Sequence, residues 1–178
     1  MFFFESDGIV SIEAEHWTKA ITTSNVKWKI IPGIGKTGSG ITGSPVTATA
    51  QKPAGNSPHL EYEFYTYSKD SLKLQAYFSP TLNFHNTEKG LQYAVSIDNE
   101  TPQIISINAE DKNSMSGVWN KWVADNIIVK KSEHTINKPG KHILKYWMVS
   151  PAVVVQKLVI DLGGLKPSYL GPPETKAN

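Results

Sequence analysis

Apolar residues recur at every second position along nearly the whole chain, and this period most limits what it can fold into. Leu72, Leu74, Ala76 and Phe78 alternate with Lys73, Gln75 and Tyr77. Leu91, Tyr93, Val95 and Ile97 alternate with Gln92, Ala94 and Ser96. Side chains two apart share one face of a strand, so each run is a strand with one buried face. Further runs occupy Ile9–Ala14, Trp28–Ile31, Leu60–Tyr65, Gln103–Ile107, Ile127–Lys131, Ile143–Val149 and Val153–Leu162. Turn-forming residues separate them: Pro32-Gly33, Gly38 to Gly43, Pro53 to Asn56, Asp98 to Glu100, and Asn137 to Gly140. No segment offers a 3.6-residue amphipathic repeat. Nine or ten strands at this spacing predict an all-β fold, a two-sheet antiparallel β-sandwich of the jelly-roll, galactose-binding-like kind.

The 178 residues suit one domain, 1–178, with residues 163–178 read as a C-terminal docking tail. Gly33 to Gly55, rich in Gly, Thr, Ser and Ala, reads as a long surface loop with one edge strand at most. Its Gly33-x-Gly35 and Gly38-x-Gly40 pairs have no helix after them, so no amides converge on a phosphate.

Charge and composition exclude several partners. Eighteen basic and sixteen acidic residues leave a formal charge of +2 with no sustained basic run, which argues against nucleic acid. No apolar run approaches the roughly 20 residues that span a bilayer, and no membrane role is expected. The opening Met1-Phe2-Phe3-Phe4 is too short for the apolar core of a signal peptide, and it lacks a basic lead. An exported bacterial protein, periplasmic or extracellular, whose signal lies outside this sequence is the expectation. Cysteine is absent, so disulfides, thiolate nucleophiles and Cys-ligated metals are excluded.

Three groups of residues could carry function. Glu13 and Glu15, one residue apart on a strand, project from the same face and repel unless a cation lies between them. A structural calcium ion completed by Asp161 would need the first and last strands side by side. A solvated sheet edge would also place two acids there; a glycosidase carboxylate pair would too, although such paired acids normally come from different elements. Trp119 and Trp122, with Asn126, lie in a polar, loop-like stretch from Ser114 to Asn126 and are candidate carbohydrate contacts, against core or interface packing. The five histidines show neither metal-ligand spacing nor a nucleophile partner, and no catalytic residue is identified.

Seven segments together carry a family resemblance: DGIVSIEAEHW (7–17), LEYEFYTY (60–67), FSPTLNF (78–84), GLQYAVSIDNETPQ (90–103), WNKWVADN (119–126), HTINKPGKHILKYWMVSPAVVVQKLVID (134–161) and SYLGPPE (168–174). The chain resembles the C-terminal domain of glycoside hydrolase family 115, the xylan α-glucuronidases. That resemblance implies a non-catalytic β-sandwich following a catalytic barrel and helical domains. Those domains are the implied partners, and the catalytic acids lie in the barrel. A looser similarity to carbohydrate-binding modules of families 6 and 35 implies a structural calcium at a Glu-x-Glu strand like Ile12 to Glu15. It also implies a contact with xylan-derived glycan. Where those modules carry a sugar-reading asparagine before the last strand, this chain has Ser150 to Val154 with no asparagine.

Overall fold

The structure, a computed structural model, describes residues 1–111 and 117–177. In chain order its elements are β1 (Phe2–Phe4), β2 (Ile9–Glu13), β3 (Lys19–Ile21), β4 (Lys27–Ile31), β5 (Gly40–Ser44), β6 (His59–Thr66) and β7 (Asp70–Phe78). There follow β8 (Gln92–Ile97), β9 (Gln103–Ser106), α1 (Gly117–Asp125), β10 (Ile128–Ile136), β11 (Gly140–Met148) and β12 (Val155–Asp161). Two six-stranded sheets face one another. The first runs β1-β6-β11-β8-β9 with β3 also on β6, and the second runs β10-β7-β12-β5-β4 with β2 also on β12. Only the β1–β6 pairing among these ladders is parallel. The all-β sandwich expected from the alternation is what the chain forms.

The alternating apolar residues meet between the sheets. Phe3, Tyr62, Phe64, Phe78, Tyr93 and Tyr146 are its largest fully buried side chains, each at most 2% exposed. The rings of Phe78 and Tyr93 lie 4.6 Å apart, and those of Tyr93 and Tyr146 5.9 Å apart. A buried phenol needs a partner, and the Tyr62 hydroxyl donates to the Ala14 carbonyl at 2.8 Å. Burial pushes the Tyr62, Tyr93 and Tyr146 phenols far above their ordinary range, so they stay neutral.

Three features depart from the sequence reading. Phe2–Phe4 is a strand of the sandwich, and Phe3 is wholly inside the core. The Gly-rich stretch contributes β5 between β12 and β4, not at an edge. There a Cβ on Gly43 would stand 2.3 Å from the Met148 sulfur, and one on Gly40 2.5 Å from Val154, so close packing dictates the glycines. The stretch read as a loop from Ser114 is helix α1 over Gly117–Asp125, Ser114 to Ser116 lying outside the described residues. The C-terminal tail lies along its own domain. Thr175 N donates to Ser11 O at 3.0 Å, Phe4 N to Lys176 O at 3.1 Å, and Ala177 bridges Phe3. The last residues thus join β2 of one sheet to β1 of the other along an open seam.

Candidate functional site

The β2–β12 ladder brings the first carboxylate to its surroundings. It is antiparallel, with Glu13 opposite Lys157 and Ile9 opposite Asp161. The expectation that the first and last long strands lie side by side therefore holds, but Asp161 is at the far end of the pair. Four residues of strand separate it from the Glu13 level, roughly 13 Å. Its carboxylate instead accepts the N–H groups of Gly163 at 2.9 Å and Leu165 at 3.2 Å, shaping the turn into the tail.

Glu13 ends β2, and Glu15 falls in the turn beyond it, yet both carboxylates reach the loop after β4. Thr37 donates its hydroxyl to Glu13 Oε1 at 2.6 Å, and Ser39 N–H donates to Glu15 Oε1 at 2.9 Å. Between them Gly38 leaves no room for a side chain: a Cβ there would meet Glu15 Oε1 at 2.9 Å and Glu13 Oε2 at 3.2 Å. The Ser39 hydrogen bonds, outweighing desolvation, hold the Glu15 carboxyl below the ordinary glutamate range. Glu13 Oε2 is buried and has no hydrogen-bond partner.

Lys157, which the sequence reading passed over, completes the cluster. Its side chain is 3% exposed, with Nζ 3.1 Å from Glu13 Oε1 and donating to the Pro172 carbonyl at 2.9 Å. Glu174 accepts Glu13 N–H at 2.8 Å and faces His16 Nδ1 at 2.9 Å. A charged residue inside the apolar run Val153 to Ile160 was the available signal.

The residues fit poorly to the calcium site expected from the sequence. That ion takes six to eight oxygens, mainly carboxylate and carbonyl. Among the described residues no three acidic or histidine side chains gather as a metal-binding group. Glu13 Oε1 and Glu15 Oε1 already face donors.

The second candidate group sits elsewhere. Trp119 and Trp122, three residues apart on α1, share one helix face, and α1 has no buried residue. Trp122 packs against the core edge, with the Lys130 ammonium 5.3 Å above its ring. Asn126 is exposed and follows the helix with φ of +52°, where asparagine commonly closes a helix. Its residue type is therefore explained by the turn.

A third surface was not expected. On the outer face of the first sheet Phe2, Phe4, Tyr65 and Tyr67 form a row, with successive ring centroids 5.3, 6.0 and 5.1 Å apart. Phe4 and Tyr67 also line a groove of about 1200 Å³ between the Glu5–Asp7 turn and the tail. Tyr67 is 63% exposed.

The model of the glycosyl hydrolase family 115 C-terminal domain matches residues 2–174. No curated protein sequence matches the chain. Among solved structures, the family GH115 4-O-methyl-α-glucuronidase BtGH115A, with specificity for decorated arabinogalactans, superposes with a TM-score of 0.64 at 15% identity. That match covers 88% of this chain but only 18% of the glucuronidase, so the chain spans less than a fifth of that protein's length. The Podospora anserina GH26-CBM35 β-(1,4)-mannanase gives a TM-score of 0.54 at 12% identity, over 91% of this chain and 29% of the other. The C-terminal CBM6 of LamC from Zobellia galactanivorans gives 0.51 at 11% identity, over 86% and 98%. At these identities the likeness shows a shared fold. The chain belongs to the glycosyl hydrolase family 115 C-terminal domain family.

Proposed function

We propose that this member of the family 115 C-terminal domains is the non-catalytic β-sandwich of an α-glucuronidase acting on xylan side chains, and that it packs against the catalytic body of that enzyme. The aromatic row carries this reading. Four rings on β1, on β6 and at Tyr67 just after it, three half-buried and Tyr67 exposed, form the kind of aromatic patch that marks an interaction surface. The groove lined by Phe4 and Tyr67 extends the patch toward the tail. Xylan lies outside the cell, so the reading carries an exported setting. The experiment is to remove this domain from the full-length enzyme. Loss of melting temperature and soluble yield in the remaining body is the expected result. Release of 4-O-methylglucuronic acid from xylan by the isolated chain would overturn the non-catalytic assignment.

One observation favours a second reading as a carbohydrate-binding module: α1 presents two tryptophans and no buried residue. Titrating the isolated chain with xylo-oligosaccharides and glucuronic acid separates the two readings. Saturable binding that Trp119→Ala abolishes supports the second, and no binding at millimolar ligand removes it.

A further inference from the structure

We propose that the ammonium of Lys157 is the resident cation of the Glu13–Glu15 cluster, so that the domain takes no divalent ion there, and that this charge latches the chain's own tail. The placement is set by backbone pairing: Lys157 stands directly opposite Glu13 in the β2–β12 ladder, and both side chains leave on the outer face of the sheet. A lysine so deeply covered would lose far more hydration than its stem gains unless its charge were matched. Glu13 Oε1 at 3.1 Å matches the charge, and the Pro172 carbonyl at 2.9 Å takes a second of its three donors.

The surrounding oxygens are arranged for donors. Thr37 O–H and the ammonium point at Glu13 Oε1, Ser39 N–H points at Glu15 Oε1, and Glu13 N–H points at Glu174 Oε1. A metal ion in contact with Glu13 Oε1 would have to share that oxygen with a positive nitrogen already beside it. Asp161, the acid that would have supplied the missing ligand, is engaged in its own turn. The unpartnered Glu13 Oε2 is the atom a divalent ion would use, which gives the two occupants opposite predictions.

A covalently attached cation also needs no ion from the medium to fix the tail. It ties Glu13 on β2 to Pro172 on the tail, and the same Pro172 carbonyl accepts from Ser11 Oγ at 3.1 Å. Two donors from two strands therefore hold one carbonyl, next to the Thr175 and Glu174 contacts that follow it. Tail docking becomes independent of the ion content of the medium.

The test is thermal unfolding of the 178-residue chain in EDTA and in calcium chloride, with calorimetric titration by calcium. The expected melting temperature is the same in both to within about 1 °C, whereas an ion in hundredfold excess over its Kd would raise it by about 5–10 °C. Lys157→Met should lower the melting temperature by about 10 °C and open the tail to protease between Ser168 and Pro173. Adding Glu13→Gln to that variant should recover part of the loss, since the unpaired carboxylate is then gone. A chelator-induced fall that calcium reverses would overturn the proposal, as would a saturable calcium heat or a Lys157→Met protein as stable as the parent. If Lys157→Met does not fold, the calcium titration of the unmodified chain decides alone.

Discussion

The outer faces of the two sheets are treated in opposite ways. On the β2–β12 side, Ser11, Val159 and Lys157 point away from the core, yet each is at most 3% exposed. Residues Gly171 to Thr175 cover them: Pro172 and Thr175 bond to Lys157 and Ser11, and a Cβ added at Gly171 would stand 3.5 Å from the Tyr77 ring. On the β1–β6 side the outward residues include four aromatic rings, and the tail meets β1 through the Phe4 N–H to Lys176 carbonyl bond and the Phe3–Ala177 bridge. The covered face is hydrogen-bonded, with a largely buried ion pair. The other face is aromatic, with three rings half-buried and Tyr67 open. A polar outward face that is buried is thus evidence of self-packing, and an apolar one left open is evidence of a surface meant for something else.

Removing the cover should have the largest effect. Truncation after Leu170 takes away the Pro172 carbonyl, the Glu174 carboxylate and the Thr175 bonds, and leaves the Lys157–Glu13 pair facing water from a half-open site. The expected loss is about 4 kcal/mol or more, a fall of roughly 10–15 °C. Denaturant melts of the truncated chain check this; a loss under about 1 kcal/mol would mean the cover is incidental.

Next comes the point where the tail leaves the sandwich. A Cβ on Gly164 would stand 1.7 Å from the Asp7 carbonyl oxygen, which is backbone and cannot rotate away. Gly164→Ala must push the tail off the Asp7–Gly8 turn and should cost about 2–3 kcal/mol. Gly55, where a Cβ would meet nothing within 4 Å, is a contrasting site, although its φ of +56° still disfavours alanine by a smaller amount. Equal melting temperatures for the two variants would show that the turn does not anchor the tail.

Acid provides a weaker probe of the covered side. Glu15 has a carboxyl held below its ordinary value, first by the Ser39 hydrogen bonds. A group depressed in the folded state adds stability that is fully present above the unfolded value, about 4.3, and is lost as pH falls through the folded value. Stability should therefore decline below about pH 4.3, and Ser39→Pro, which removes the donating N–H, should flatten that decline relative to its own pH 7 value. An unchanged slope would detach Glu15 from the acid response.

The alternation made the sheets legible because period-two burial is written locally: Leu72 to Phe78 and Leu91 to Ile97 fall inside β7 and β8 almost residue for residue. What escaped was non-local. β5 looks like a loop because its glycines answer to Met148 and Val154, more than a hundred residues away. Helix α1 is short and has no buried stripe, so no 3.6 period could mark it. At the site, Glu13 and Glu15 were legible as two acids needing a cation, but the cation was not. Register decided between Asp161 and Lys157, and register depends on where the β2–β12 ladder is set. The tail's contacts with its own sandwich were not legible, because Ser11 and the Glu13 N–H give no sequence signal of wanting partners.

The smallest expected effect belongs to the uncovered face, and it sharpens the contrast most. Tyr67 is 63% exposed, and its ring meets only the neighbouring Tyr65 ring at 5.1 Å among the described contacts. Its backbone N–H, which donates to Glu5 at 2.7 Å, survives any side-chain change. Tyr67→Ser in the isolated chain should shift stability by no more than about 0.5 kcal/mol. In the full-length enzyme the same substitution should cost more, because an aromatic ring buried at an interface is worth about 2 kcal/mol or above. The difference between the two settings, measured by thermal melts of both proteins, isolates the partner's contribution. If the cost is equally small in both, the aromatic row is not where the catalytic body sits, and the open face has some other occupant.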